Sequence, residues 1–569
     1  MKTHITIAIT IPLLLVVLAT SCGTCKTGAK ASVSKPAIVA STADSGAGSL
    51  RDVVANASAG ETIIFNIPMD DSGYDAESGK WTITLSSGEI KFDKHLTFNG
   101  GGSIVLNGNN ASRMLYYKGD DSQEDNMLAL NGLTFINGSA CGEDKADGGE
   151  EEADYGDVDE DDMDRKALGG AVLVAGGVLV GTDCVFSNNT ASAVGGAVLV
   201  IGGEDTPTAH SFIATNCVFY SNSAGDGGAV GVAGSVSVAG CVFAGNIAAG
   251  YDENGADIVE PGAYVDGWAG QGGAVWAFRS VKAIDCVFSN NAALGVNDAG
   301  CKQSSGGGAV ASSKSVIATG CVFTGNTSDS DGGAVVADFM AAENCVFSGN
   351  AANNTSGNGG AVWAERFVIA ANSSFVGNRT GWINLGAISA RGGISLYHCT
   401  VADNIGAGAH VRNADDDARK NLYDYAEDTD GADDTGDADA AAVPAFHAYN
   451  SIIAGNRDVG GNIVIQAGFG NKESIAAFAS DGIAGASLIE GVTAGVSRES
   501  VFGGNKAGAN GIMAPLPGGL ADKNAAALTA EALTAPGGID TRSLIDALQN
   551  DISGAARSAA GNVSYGCKE

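Results

Sequence analysis

Proline is scarce, with 9 in 569 residues, and aromatic residues make up only 6%. Cations are outnumbered, 31 Lys and Arg facing 65 Asp and Glu, for a net charge of −34. That balance excludes nucleic acid as a partner, because its phosphates demand Lys and Arg. It also excludes charge-driven docking on an anionic lipid surface. Beyond the N-terminus no apolar run approaches the roughly 20 residues of a membrane-spanning helix. Hydrophobic residues are nevertheless 45% of the chain, enough to build a core. Glycine, at 84 residues, is roughly twice its usual share. Abundant glycine with little proline implies many tight turns between short strands.

The N-terminus reads as an export signal. Lys2 and His4 precede an apolar run from Ile5 to Ala19 that is too short to span a bilayer. It leads into Leu18-Ala19-Thr20-Ser21-Cys22, which resembles a bacterial lipobox, so Cys22 is the expected site of acylation. An ordinary cleaved secretory peptide is the alternative.

Internal repetition is the strongest signal. Cys-Val-Phe recurs at Cys184, Cys217, Cys241, Cys286, Cys321 and Cys345, each time with Asn three residues after the Phe, as in Phe243/Asn246. Degenerate copies follow at Phe375/Asn378, Val401/Asn404 and Ile453/Asn456. A second motif, Gly-Gly-Ala-Val, begins at Gly169, Gly195, Gly227, Gly272, Gly307, Gly332 and Gly359. Its last residue lies eleven positions before the Cys column in Val230/Cys241, Val275/Cys286, Val310/Cys321, Val362/Ser373 and Ile388/Cys399. Within that interval apolar residues alternate: Val230 and Val232, Val236 and Val238, then Cys241 and Phe243 share one direction. Three bursts of period two, broken by Gly, Ser or Asn, predict three short strands per turn. The compact unit is 24 residues, from Cys217 to Cys241 and from Cys321 to Cys345. Equal phase at each return predicts parallel coiling, with like residues stacked about 4.8 Å apart. The Asn column suits a bend, where Asn tolerates left-handed angles and its amide can bond along the stack.

The paired GGA[V/I/L] and FxxN motifs resemble the repeats of chlamydial polymorphic outer membrane proteins and related bacterial β-helix proteins. Asp44-Ser45-Gly46-Ala47-Gly48-Ser49-Leu50-Arg51-Asp52 resembles their N-terminal cap, with a short helix expected over Ser49 to Ala57 and a first strand at Thr62. Pro515 to Ala521, Asp551 to Arg557 and the final Val563 to Glu569 resemble their closing turns. The resemblance implies an all-β, right-handed parallel β-helix with an N-terminal helical cap and acidic loop insertions. The domain reading is a signal peptide over 1–22, a linker over 23–43, a cap over 44–67, repeats over 68–460 and C-terminal turns over 461–569. No autotransporter-like barrel segment precedes Glu569, so lipid anchoring or a separate exporter is the expected route to the surface.

Candidate chemistry is sparse. Stacked cysteines would hold their Cβ atoms near 4.8 Å, beyond the roughly 3.5–4.5 Å that a disulfide prefers, so the column reads as buried apolar thiols. The pairing of Cys25, Cys141, Cys301 and Cys567 is left open. No His converges on them at ligand spacing, and no metal or cofactor is assigned. Trp276 and Trp363 share one register position and face outward by alternation, roughly 14 Å apart across two intervening rungs. With Trp268 and Trp382 they are candidate stacking platforms for a sugar or partner protein, cover by nearby loops being the alternative. The insertion 143–166 carries 13 acidic residues against 3 basic, and 415–439 carries 11 against 2. Neither completes a calcium loop with a Glu at its twelfth position, so both read as solvated loops.

Enzymes that use this fold need paired carboxylates, or calcium with a basic residue, on one face. The Asp pairs Asp70-Asp71, Asp120-Asp121, Asp161-Asp162 and Asp433-Asp434 all sit in loop-like stretches, and no catalytic residue is assigned. The expected function is therefore an exported envelope or surface lipoprotein, adhesin-like, binding a protein or glycan of a host or neighbouring cell. A secreted polysaccharide lyase or hydrolase is the alternative.

One expectation follows for the insertions. Deleting 143–166 or 415–439 should leave the melting temperature nearly unchanged, because closure entropy varies slowly with loop length. Millimolar calcium should move it as little. A calcium-dependent rise in a thermal melt would instead make the acidic clusters structural metal sites.

Overall fold

One rung explains the rest. In the computed structural model the chain from Val230 runs through strands Val230–Val232, Ser235–Ala239, Val242–Ala244 and Ile247–Ala248 before the next rung begins. Each strand pairs in parallel with its counterpart in the following rung: Val230 with Val275, Val236 with Val281, Phe243 with Phe288 and Ala248 with Ala293. The structure describes residues 36–119, 126–141, 167–202, 210–250, 264–265, 270–297, 306–354, 357–381, 386–411, 445–449, 451–454, 456–457, 483–484 and 488–489. Over these residues the protein is a parallel β-helix. Three strands of each rung belong to a 34-stranded sheet, and the fourth lies in a separate 8-stranded one.

The fourth strand departs from the expected three. It is only two residues long, too short to carry a period, and it follows the bend made by the left-handed residue before the ladder Asn, as Gly245 precedes Asn246. The start also differs. Ala37–Val39, assigned to the linker from sequence, is the first strand and pairs with Ile63 to Phe65. The helix spans Leu50–Asn56, as the cap motif predicts; the Ser49 hydroxyl accepts from the Asp52 N–H, and the Asp52 carboxylate accepts from the Gly48 N–H. Leu50 and Val54 are its buried face. The pairing of Tyr74–Asp75 with Lys80–Thr84 is antiparallel, a local hairpin beside the first rungs.

The Phe column is the spine of the core. Phe135, Phe186, Phe219, Phe243, Phe288, Phe323, Phe347 and Phe375 stack in succession, centroids 4.6–4.9 Å apart and planes within 1–4°. Those separations exceed the about 3.5–4.0 Å of carbon atoms in contact, so parallel rings must be slipped, the offset arrangement their quadrupoles favour. Val230, Val232, Val236, Val238 and Cys241 complete this rung's interior, all buried.

The double glycine has two separate causes. The first is left-handed, with φ of 56° at Gly227 and 64° at Gly272. The second has no room for a side chain: a Cβ on Gly228 would collide with the Gly273 carbonyl, and one on Gly273 with the Gly308 carbonyl. In these rungs the second position therefore admits only glycine; at the end of the stack, beyond Gly386, its partner is Ala407.

The inside–outside alternation is open to a direct measurement. Phe243 is fully buried while Ser237 and Lys282 are exposed. Phe243→Ala should cost about 3–5 kcal/mol through lost burial and a residual cavity. Lys282→Ala should stay within about 0.5 kcal/mol. Because each rung touches only its neighbours, hydrogen exchange should show protection lost first in the rungs flanking Phe243. Equal, mild effects of the two changes in denaturant titrations would mean that this register is wrong.

Candidate functional surface

Two polar columns run inside the helix and leave no group free for outside chemistry. In the first, nine asparagines from Asn189 to Asn456 are stacked and buried. Taking Asn246, its Nδ2 donates to Asn291 Oδ1 at 2.9 Å and to the Phe219 carbonyl of the preceding rung at 3.0 Å. Its own Oδ1 accepts from the backbone N–H and the Nδ2 of Asn222, each at 3.0 Å. Both donors and both lone pairs of the amide are thus used. The expected bonding along the stack is present, but the left-handed angle is elsewhere. It belongs to the preceding residue, Asn188 (φ 55°), Ser221 (52°), Gly245 (62°) or Asn290 (53°), and the Asn188 and Asn290 side chains are exposed.

The second column holds Cys184, Cys217, Cys241, Cys286, Cys321, Cys345 and Cys399, all buried and none in a disulfide; the remaining described cysteine, Cys141, is exposed. These thiols are more than apolar filler. Each Sγ donates to the carbonyl two residues back, as Cys217 does to Thr215 at 3.4 Å, and the sulfurs of Cys241, Cys286 and Cys321 accept from the N–H of the rung before, as Cys241 Sγ does from Cys217 N at 3.4 Å. Ser373 and Ser451 take the same position with the same bonds: Ser373 Oγ accepts from the Cys345 N–H at 3.1 Å and donates to the Ala371 carbonyl at 2.8 Å. The neighbouring Cys184 and Cys241 thiols, together with burial, push the Cys217 thiol up.

The outer faces differ from one strand to the next. Trp276 pairs with Gly231 on one side and Ala311 on the other, outside the main core as alternation requires. Yet its exposure is only 8%, because it lies in a second apolar cluster with Tyr116, Leu168, Leu173, Val194 and Leu199. Val194, just ahead of Gly195, fills the space above Gly231 that a Cβ would need. Trp363 is 2% exposed, with the Arg391 guanidinium 5.9 Å from its ring centre. The expectation of outward, accessible stacking platforms is therefore corrected: both rings point outward and both are covered. Alternation sets the direction of a side chain and says nothing of what folds over it.

The neighbouring faces are open. In the strands Ser211–Thr215, Ser235–Ala239 and Ser280–Ile284, and in Val218–Tyr220, Val242–Ala244 and Val287–Ser289, Lys282 is the sole charged residue. Ile213 (41%), Tyr220 (53%) and, one rung further, Ile317 (43%) stand exposed there. On a chain of net charge −34 these strands form a nearly uncharged surface of β-branched and small residues.

Ionisable groups elsewhere are engaged in the fold. The Asp71 carboxylate gathers the Thr42 hydroxyl, the Gly73 N–H and the Ser41 hydroxyl, which hold it below the usual carboxylate range. His210, His398 and His410 are buried. Among the described residues no group of three or more His, Cys, Asp or Glu is placed to hold a metal ion. Cys22, Cys25, Cys301, Cys567, Trp268, Trp382, both acidic insertions and the signal segment lie outside the described residues; of the C-terminal turns over 461–569 only 483–484 and 488–489 are described, and both strands pair in parallel with the rung before.

The geometry defines a class, the repeat-built parallel β-helix, and the comparisons then name the repeat. The Chlamydia polymorphic membrane protein repeat matches residues 183–200 and 320–338. Each match covers one unit from the left-handed residue before Cys184 or Cys321, through the Phe and ladder Asn, to the double glycine and its strand. No curated protein and no solved structure matches the chain.

Sequence reasoning missed Asp226, which Gly225-Asp226-Gly227 disguises as a turn residue. It is buried in the column of Leu168 and Val194 and accepts from the Gln271 N–H at 2.7 Å. Burial pushes its carboxyl up from 3.8 to about 7, the hydrogen bond opposing only part of the shift. The folded state then holds a proton that the unfolded chain has released between those pH values, so stability falls as pH rises through that window. Asp226→Asn should raise the melting temperature at pH 8 and leave it little changed at pH 4. Melts of both proteins across that range check it; parallel curves would show that Asp226 is charged throughout.

Proposed function

We propose that the protein is an exported cell-envelope β-helix, lipid-anchored through Cys22, that presents its uncharged outer strands to a protein or glycan on another cell. The observation carrying this reading is the polymorphic membrane protein repeat at two sites, 183–200 and 320–338, on a helix whose repeated Phe, Asn and Cys face inward. With Phe, Asn, Cys and Gly committed to the stack, recognition falls to the outer faces and to the loops between rungs. The name of the repeat family supports a location at the cell's outer membrane or surface. The lipobox-like Leu18 to Cys22 supports anchoring, since more than one acyl chain gives stable attachment.

Protease treatment of intact cells, with mass spectrometry of the mature N-terminus, tests the proposal. The expected result is surface cleavage, an acylated Cys22 and partition into detergent, with Cys22→Ala releasing the protein or leaving it unprocessed. A mature N-terminus elsewhere, with Cys22 unmodified, would overturn the anchor. An Ile213→Lys, Ile317→Lys variant should keep its fold and lose binding to cells that capture the native chain. Release of unsaturated products from polyuronates would point instead to a lyase.

A further inference from the structure

We propose that the outer surface around Arg279, Lys282 and Lys314 binds a short anionic glycan, one that carries carboxylate or sulfate groups. These three cations lie on two neighbouring rungs of a chain whose net charge is −34. Arg279 and Lys314 hold equivalent places, each just before the paired Ser280 and Ser315. The Arg279 carbonyl accepts from the Lys314 N–H at 3.1 Å and from the Ser312 hydroxyl at 2.5 Å, which ties the two turns together. Lys282 stands outward on the strand Ser280–Ile284, three residues and so about 10 Å along the chain from Arg279. Lys282 and Lys314 are exposed, and Arg279 is half-buried.

The same turn in later rungs shows what such cations do when they serve the fold. Arg366 Nε donates to Asp338 at 2.7 Å, and Arg391 pairs with Glu365 at 2.7 Å. No carboxylate among the described residues pairs with Arg279, Lys282 or Lys314, and Asp285 lies beyond the end of the Lys282 strand. The Arg279 Nε is buried without an acceptor, where a buried donor ordinarily has one. Acidic groups elsewhere on the chain are screened beyond a Debye length of about 8 Å at physiological salt, whereas groups in contact are not. A glycan fits this surface better than a peptide. The backbone of Ser280–Ile284 is paired with a rung on each side, so no edge is left for an extended chain to join. What the surface offers is hydroxyls and a ring. Ser280 Oγ lies 3.2 Å from Ser235 Oγ of the rung before, Ser315 continues the row, and each hydroxyl both donates and accepts, as those of a sugar do. Phe278, immediately before Arg279, is 38% exposed and can take the apolar face of a sugar ring. This site is separate from the apolar residues Ile213 and Ile317 and does not depend on them for binding.

Titration calorimetry on the full chain tests the proposal, with a hexagalacturonate, a sulfated hexasaccharide and the fully methyl-esterified hexagalacturonate as probes. At least one acidic saccharide should bind, more weakly as salt is raised, and the uncharged ester should not. The comparison of the two acids shows whether carboxylate or sulfate is preferred. A Lys282→Ala, Lys314→Ala variant should keep the native melting temperature and bind about tenfold more weakly, as the loss of two exposed charge contacts implies. Lys282→Arg with Lys314→Arg should retain binding, and Phe278→Ala should weaken it. The Ile213→Lys, Ile317→Lys variant should still bind the saccharide, which separates this site from capture of cells by the uncharged strands. The proposal is overturned, whatever the result with cells, if neither acidic saccharide binds at low salt, if ester and acid bind equally, or if the double alanine variant keeps native affinity. Loss of saccharide binding in the Ile213→Lys, Ile317→Lys variant would overturn it as well, by placing the ligand on the apolar residues.

Discussion

The amide ladder is the contact on which the stack depends. A buried side-chain amide left without partners costs about 1–3 kcal/mol for each group, whereas a satisfied bond contributes only about 1 kcal/mol. Asn246 is satisfied only because Asn222 and Asn291 stand one rung behind and one rung ahead. No rung can therefore hold its asparagine inside by itself, and the same holds for Cys241, whose sulfur serves the backbone of the rung before. Register is locked by the same contacts: a slip of one residue would place every Asn, Cys and Phe of a rung on the wrong face.

This constraint divides the residues between two tasks. Most of what repeats faces in or makes a bend: the slipped Phe rings, the amides, the thiols and the paired glycines, the Val of each Cys-Val-Phe being the repeated residue that faces the other way. What varies from rung to rung lies outside, and there the protein uses its three outer faces unequally. The strands after the double glycine carry a second apolar layer that includes Trp276 and Leu199. The next two faces stay open and nearly without charge. A scaffold of this kind changes its partner by changing outward residues or insertions, with no cost to the ladders, since neither Ile213 nor Tyr220 takes part in them.

Much of the arrangement was legible in the chain. Cys-Val-Phe followed by Asn, and Gly-Gly-Ala-Val eleven residues before the next Cys, place the strands, their direction and the inward set. Ser49 with Asp52 marks the helix start. Other features were not legible. Ala37–Val39 carries no repeat motif, and it becomes a strand because Ile63 to Phe65 offers it an edge. Ile247–Ala248 is too short to show a period. The left-handed residue had been assigned to the conspicuous Asn, whereas the variable residue before it makes the bend, since any of Asn, Ser, Gly or Asp at that place can point out to solvent.

By itself the sequence determined what repeats: the rung length, the phase of each column and hence which side chains stack, because period two and fixed spacing are local properties of the chain. Only the tertiary structure decided what each column does. The exposure of Trp276 and Trp363 depends on Val194, Arg391 and other residues that fold over them from elsewhere in the chain. The raised pKa of Asp226 depends on burial beside a rung forty-five residues away. The thiols form a continuous column only when successive rungs bring Cys184 to Cys345 into line. Direction is set by alternation along one strand; cover, charge state and contact are set by neighbours that the strand does not contain.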